Sequence, residues 1–135
     1  MKNRVLPLIW VGLLLPLFFS CEPDDSVSVA VDEVVTSGNW KVVYYFDDKD
    51  ETYKFNGYSF VFSTDGKLTA TFSGQNKTGV WSVNSSSNKL VMTISGTDAL
   101  DDMTDDWLIV EKTDSFIKLK DDNLTKKEEI HLQRN

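Results

Sequence analysis

The chain has 135 residues, of which 41% are hydrophobic, 12% aromatic and 26% charged. That length allows one domain of ordinary size. The formal net charge of −7 gives a surface that repels phosphate backbones, so we expect no nucleic-acid partner. A single cysteine excludes an internal disulfide scaffold, and a single histidine argues against most nucleophilic triads and zinc hydrolase sites. We therefore predict a non-catalytic protein without a cofactor.

The first segment, residues 1–20, has the order of a secretory signal peptide. Lys2 and Arg4 precede an apolar stretch over residues 5–19, and a small residue then leads into Cys21. An uncleaved transmembrane anchor is the alternative. It is disfavoured because prolines and a glycine interrupt the apolar stretch, which is shorter than the ~20 residues that a span needs. We predict cleavage before Cys21.

The residues around Cys21 carry a resemblance to bacterial lipoproteins. The sequence LFFSC at residues 17–21 resembles a lipobox, which implies that Cys21 carries a lipid and anchors the protein to a membrane. The acidic stretch at residues 22–25 resembles the surface-export signal of Bacteroidetes lipoproteins, and a solvated acidic spacer is the alternative. This resemblance implies an outer-membrane location in the cell envelope. Residues 21–37 are predicted to be a lipidated flexible tether.

The remainder, residues 38–135, is predicted to be one all-β domain. Its apolar pattern has a period of two and indicates eight strands. Since no stretch of ten residues keeps a helical period, the sheet must be antiparallel. Two longer links, 47–56 and 96–105, are acidic, and the second has room for one helical turn. The predicted strands span residues 39–46, 57–63, 67–73, 78–84, 89–95, 106–112, 115–120 and 128–133.

In each predicted strand, every second residue is apolar, and these alternate positions predict an inner face. Eight consecutive up-and-down strands hide such a face by closing into a β-barrel. A two-sheet β-sandwich fits the alternation nearly as well and is the alternative. The predicted inner face comprises Trp40, Val42, Tyr44, Phe46, Tyr58, Phe60, Phe62, Leu68, Ala70, Phe72, Trp81, Val83, Leu90, Met92, Ile94, Trp107, Ile109, Ile117, Leu119, Ile130 and Leu132.

Two features at the ends of this domain resemble the lipocalin family. Gly38-Asn39-Trp40 opens the first strand as a Gly-x-Trp, and Arg134 follows the last strand. The resemblance implies that Trp40 and Arg134 form a cation–π pair that closes one end of the barrel. The blocks at residues 58–66, 78–81 and 106–110 look like those of the small lipocalin-like lipoproteins of Bacteroidetes. In that family the first long loop, here 47–56, is the lid.

The polar residues show no catalytic constellation. His131 falls on the polar parity of the last strand, which favours a surface histidine, and the acidic residues fall in loops rather than on the predicted inner face. Neither acidic link has the spacing of a calcium-binding EF-hand, so a solvated acidic rim is favoured over a calcium site. If both links lie at one end of the barrel, that rim repels anionic ligands.

Two hypotheses for function remain. The first is binding of a small apolar molecule in or at the mouth of the barrel, with Tyr44, Phe46, Tyr58, Phe72 and Met92 as wall residues. The second is a structural or interaction module with a packed core, which docks a cell-envelope partner through outer-face aliphatic residues or the acidic loops. Many large rings on the inner face argue for packing, and a void below roughly 300 Å³ would argue against a carrier.

Overall fold

A computed structural model describes residues 29–135, so the predicted signal peptide and Cys21 lie outside the described residues. The described part is mostly β-structure, with two short α-helices and one 3-10 helix, Thr52–Phe55. The helices are α1 (Val31–Val35) and α2 (Asp98–Met103). The strands are β1 (Asn39–Asp47), β2 (Lys49–Asp50), β3 (Ser59–Phe62), β4 (Lys67–Phe72), β5 (Gln75–Asn84), β6 (Lys89–Thr93), β7 (Asp105–Lys112), β8 (Phe116–Lys120) and β9 (Glu128–Arg134).

Eight of these strands form a closed barrel. β1 pairs with β3, each later strand pairs with the next, and β9 pairs back onto β1, always antiparallel. β2 is a two-residue addition beside the end of β1. One continuous closed sheet confirms the eight-stranded up-and-down barrel and excludes the two-sheet sandwich.

A β-bulge in β1 changes which side chains face the interior. Val42 is opposite Leu132 on β9, but Tyr44 is opposite His131, so Val43 is an extra residue. Such a residue reverses the alternation beyond it. Tyr45 is consequently buried in the core, 1% exposed, and Tyr44 is only partly buried. The sequence-based assignment of Tyr44 and Phe46 to the inner face is therefore wrong.

The strands run between two ends of different composition. The α1 end holds α1, the start of β1 and the end of β9. The opposite end, here called the acidic end, holds the connections 48–58, 94–104 and 121–127. The two acidic links of the sequence meet there because β1 and β6 run in the same direction. Its acidic residues outnumber its lysines and include Asp47, Asp48, Asp50, Glu51, Asp98, Asp101, Asp102, Asp105, Asp121, Asp122 and Glu128.

The folded unit begins before the predicted boundary at Gly38. Val34 and Val35 belong to the hydrophobic core, although residues 31–37 are assigned to the tether by the sequence. The sequence of residues 31–35 predicts a helical turn, and the structure has a helix there, but the sequence did not place its valines in the core. Within residues 29–135, none of the helices has the length and apolar character needed to cross a membrane.

Candidate functional site

The interior of the barrel is filled by its own side chains. Met92, a predicted wall residue, is 0% exposed and belongs to the same core cluster as Trp40, Trp107 and Phe60. Four depressions on the described part of the chain are open to the surface, and none of these four is lined by Met92, Trp40, Trp107 or Phe60. The large inner rings therefore pack against one another, which is the arrangement that the many aromatic residues of the predicted inner face favour.

The α1 end is covered by α1. The buried indole N–H of Trp40 donates a hydrogen bond of 2.8 Å to the carbonyl of Val35, the last residue of that helix. Terminal carbonyls of a helix lack partners within it, so this bond satisfies one of them. Arg134 lies opposite Trp40 in the β1–β9 ladder, and its guanidinium donates to the Ser37 hydroxyl. The two residues are thus neighbours at this end of the barrel, and their cation–π contact stays a prediction.

The acidic end is covered by α2 and the 3-10 helix. Leu100 and Met103 of α2 and Phe55 of the 3-10 helix are buried in the core cluster. The indole N–H of Trp107 donates a hydrogen bond of 2.9 Å to the carbonyl of Met103, the last residue of α2. Both ends of the barrel thus use a buried tryptophan to hold the last carbonyl of a short helix.

An ion-paired lysine joins these two covering segments. The Lys54 ammonium lies 2.7 Å from carboxylates of both Glu51 and Asp102. Its hydrogen bond to Asp102, reinforced by the one to Glu51, raises the pKa of Lys54. The loop predicted as a lid, 47–56, is accordingly fastened to α2 over the packed core.

Tyr58 and Phe72, two of the predicted wall residues, lie at the rim of the acidic end. Their rings stack with centroids 4.9 Å apart, and Tyr58 also stacks on buried Phe60 at 5.9 Å. Phe72 is 46% exposed, so this row of rings leads from the core to the surface. The Tyr58 hydroxyl is hydrogen-bonded to the Thr97 hydroxyl at 2.9 Å. Beside it lies an open depression of about 410 Å³, lined by Lys54, Tyr58, Thr97, Asp98 and Ala99.

Tyr44 and Phe46 lie instead on the outer wall. The ring of His131 contacts two aromatic rings there. Its centroid lies 4.8 Å from that of Tyr44 and 5.4 Å from that of Phe116. His131 Nε2 is 2.5 Å from a carboxylate oxygen of Glu129. This places the single histidine on the outer wall, as its parity predicts, and away from any inward cleft. Phe46 lines a separate open groove of about 390 Å³.

Glu129 is held ionised by its neighbours on the outer wall. Burial by itself would raise the pKa of Glu129. Contacts from Lys118, His131 and Lys120 outweigh burial and lower that pKa to about 2. The Lys118 ammonium lies 3.0 Å and the Lys120 ammonium 3.4 Å from this carboxylate. The cluster is a network of ion pairs on the barrel wall, and its Glu129 and Lys120 line the same open groove as Phe46.

Three carboxylates at the acidic end form a cluster that the sequence-based assignment missed. They lie at the ends of β7, β8 and β9, at positions that continue the alternation of the inward-facing side chains: Asp105, Asp121 and Glu128. One carboxylate oxygen of each lies within 4.8 Å of an oxygen of the other two. Burial is the main cause that raises the pKa of Asp105 and of Glu128. Three oxygens could contribute to a calcium site, but the Lys126 ammonium, 3.2 Å from Glu128, already supplies positive charge there.

Comparison with known proteins supports the fold. No family model matches the chain, and no curated protein matches it. Among solved structures, the chain is similar to a DUF4847 family protein from Bacteroides vulgatus, with a TM-score of 0.62 and 15% sequence identity. The alignment covers 78% of this chain and 98% of that one, so it spans a whole barrel. The chain is thus a closed eight-stranded β-barrel with the same fold as this Bacteroides protein.

Proposed function

We propose that the protein is a lipid-anchored, non-catalytic barrel of the bacterial outer membrane that acts through its surface, as an interaction module. The observation that carries this proposal is the filled interior, with Met92 fully buried and both ends covered by helices. A carrier of the lipocalin type needs a cavity that encloses its ligand. A packed barrel has only its outer surface and its loops to offer to a partner.

Lipid anchoring supplies the setting for this function. Its support is the lipobox-like sequence that ends at Cys21, the single cysteine of the chain. The experiment is metabolic labelling of the full chain with an alkyne fatty acid in a Bacteroides host. We expect a labelled protein in the outer-membrane fraction and no label on the Cys21→Ala variant. Label that persists on that variant, or an unlabelled wild-type protein, would contradict the anchoring proposal.

The choice between surface interaction and internal carriage has its own test. The full chain, purified in detergent, is incubated with a lipid extract of its host and examined by native mass spectrometry. We expect no bound mass that depends on core residues. A discrete bound mass that is lost in Met92→Gln and retained in Phe72→Ala would locate a ligand in the interior and overturn the proposal.

A second candidate is binding of a small apolar molecule at the mouth. The observation that favours it is the depression beside Tyr58, next to the exposed ring of Phe72. A bound mass that is lost in Tyr58→Asp, with Met92→Gln unaffected, would support this candidate. The depression is open and lined largely by polar groups, and for this reason we rank it second.

A further inference from the structure

We propose that the rim of the acidic end binds a basic segment of a partner protein, with an arginine side chain over Phe72 and basic groups beside α2. This inference rests on the proposed interaction function and specifies its surface and its partner. Three observations carry it: an exposed aromatic ring on a rigid support, carboxylates of α2 that form no ion pairs within residues 29–135, and the charge balance of this end.

The exposed ring is held in place from below. Phe72 stacks on Tyr58, and a Cβ atom built on Gly57 would lie only 3.1 Å from the Phe72 ring. Gly57 adopts a φ of 84°, so both the backbone conformation and the close approach favour glycine. Because the ring is already ordered, a partner that stacks on it loses little additional side-chain entropy.

Tyr58 connects this ring to the carboxylates of α2. Its ring contacts Phe72, and its hydroxyl contacts Thr97, the residue before Asp98. Asp98 and Asp101 form no ion pair with any residue of 29–135. Asp102, by contrast, is already paired with Lys54. The rim therefore combines an exposed aromatic ring with two uncompensated carboxylates on neighbouring elements.

These features favour a cationic occupant of a particular kind. A guanidinium group is planar, stacks on aromatic rings and pairs with carboxylates, whereas an ammonium group is a compact charge. The surplus of carboxylates at the acidic end attracts cations and repels anionic partners. Of the lysines at this rim, Lys54 is paired with Glu51 and Asp102. The side chain of Lys77 lies against Gly96, and removing its charge is expected to strengthen binding.

The experiment measures binding of a ten-residue peptide of alternating Arg and Gly to the full chain in detergent, by calorimetry at physiological salt. We expect Phe72→Ala to weaken binding about threefold to fivefold. We expect the double variant Asp98→Asn/Asp101→Asn to weaken it about threefold to tenfold. Lys77→Gln is expected to strengthen it about twofold. The same peptide with lysine in place of arginine should lose the dependence on Phe72.

Matched controls separate this site from general charge attraction. Asp65→Asn/Asp114→Asn removes the same charge from the α1 end, and Phe116→Ala removes an aromatic ring from the outer wall. Both are expected to leave the affinity for the arginine peptide within about twofold. Equal effects of the two double variants, an affinity unchanged by Phe72→Ala, or no measurable binding would overturn the inference. Binding of maltohexaose that depends on Phe72, without binding of the peptide, would also overturn it and indicate a saccharide ligand.

Failure of this inference can be told apart from failure of the proposed function. A photo-crosslinking residue is placed at Phe72 or at Val80, a 60% exposed position on the outer wall, in the full chain expressed in a Bacteroides host. Adducts from Phe72 that the arginine peptide suppresses are the expected result. Adducts from Val80 alone would preserve the interaction function and overturn the inference. No adduct from either position would contradict the interaction function as well.

Discussion

Alanine in place of Tyr45 tests the β-bulge that sets the parity of β1. The Tyr45 side chain is 1% exposed and meets Phe55 in a T-shaped contact at 5.2 Å. Truncating a buried aromatic side chain costs about 3–5 kcal/mol of unfolding free energy. Its neighbour Tyr44 is partly buried on the outer wall and loses chiefly its contact with His131, worth about 1 kcal/mol. We therefore expect Tyr45→Ala to be less stable than Tyr44→Ala by about 3 kcal/mol.

The assay is urea denaturation of both variants, followed by tryptophan fluorescence. The difference should appear in the midpoint with a similar dependence on denaturant, because both variants expose similar surface on unfolding. Tyr45→Phe is the control, since it keeps the ring in the core and is expected to lose less than about 1.5 kcal/mol. Equal losses for the two alanine variants, or a larger loss for Tyr44→Ala, would refute the bulge and the inward position of Tyr45.

Three further predictions concern buried and charged side chains. Val35→Ala should lower the unfolding free energy by about 2 kcal/mol, whereas Val80→Ala should change it by less than about 0.5 kcal/mol, measured by urea denaturation. Glu128→Gln should be more stable than wild type at neutral pH, because burial raises the pKa of Glu128 and penalises its charge. This stability advantage should shrink as the pH falls and wild-type Glu128 becomes protonated. A difference in melting temperature that stays constant with pH would contradict the burial of a charged Glu128 as its cause. Glu129→Gln should be destabilising at neutral pH. The folded protein lowers the pKa of Glu129 from 4.5 to about 2, so the ionised carboxylate stabilises the fold at pH values above 4.5. Its effect should fade between about pH 4.5 and pH 2, and a loss that persists below that range would refute the ion-pair explanation.

The barrel itself was predictable because period-two alternation and turn residues agree along most of the domain. All eight barrel strands lie within a few residues of their predicted bounds. The predicted alternation of inward and outward side chains was wrong in the second half of β1. Residues 42–46 read Val-Val-Tyr-Tyr-Phe and are apolar at every position, so alternation cannot show which of them face inward. Only the pairing of Tyr44 with His131 reveals the extra residue.

The rim was less predictable than the wall. Phe72 has the expected inward parity, but it is the last residue of β4, where the barrel no longer encloses its ring. The carboxylate cluster comes from positions just beyond the apolar run of three strands, where the side chains still have the inward parity: Asp105, Asp121 and Glu128. Whether these side chains converge depends on the tilt and register of all three strands together. A sequence pattern read one strand at a time contains no such information.

The two indole bonds give the molecule a separate optical reporter at each end. Trp40 reports on α1 and Trp107 reports on α2, through bonds to the last carbonyl of each helix. Release of one helix would expose one indole to water and leave the other in its dry environment. Phenylalanine at either position would remove the emission of that end and leave the emission of the other end together with that of Trp81 on the wall and of Trp10 in the predicted signal peptide. Loosening of the rim during partner binding would then be measurable as a red shift from Trp107, with Trp40 as an internal reference within the same polypeptide.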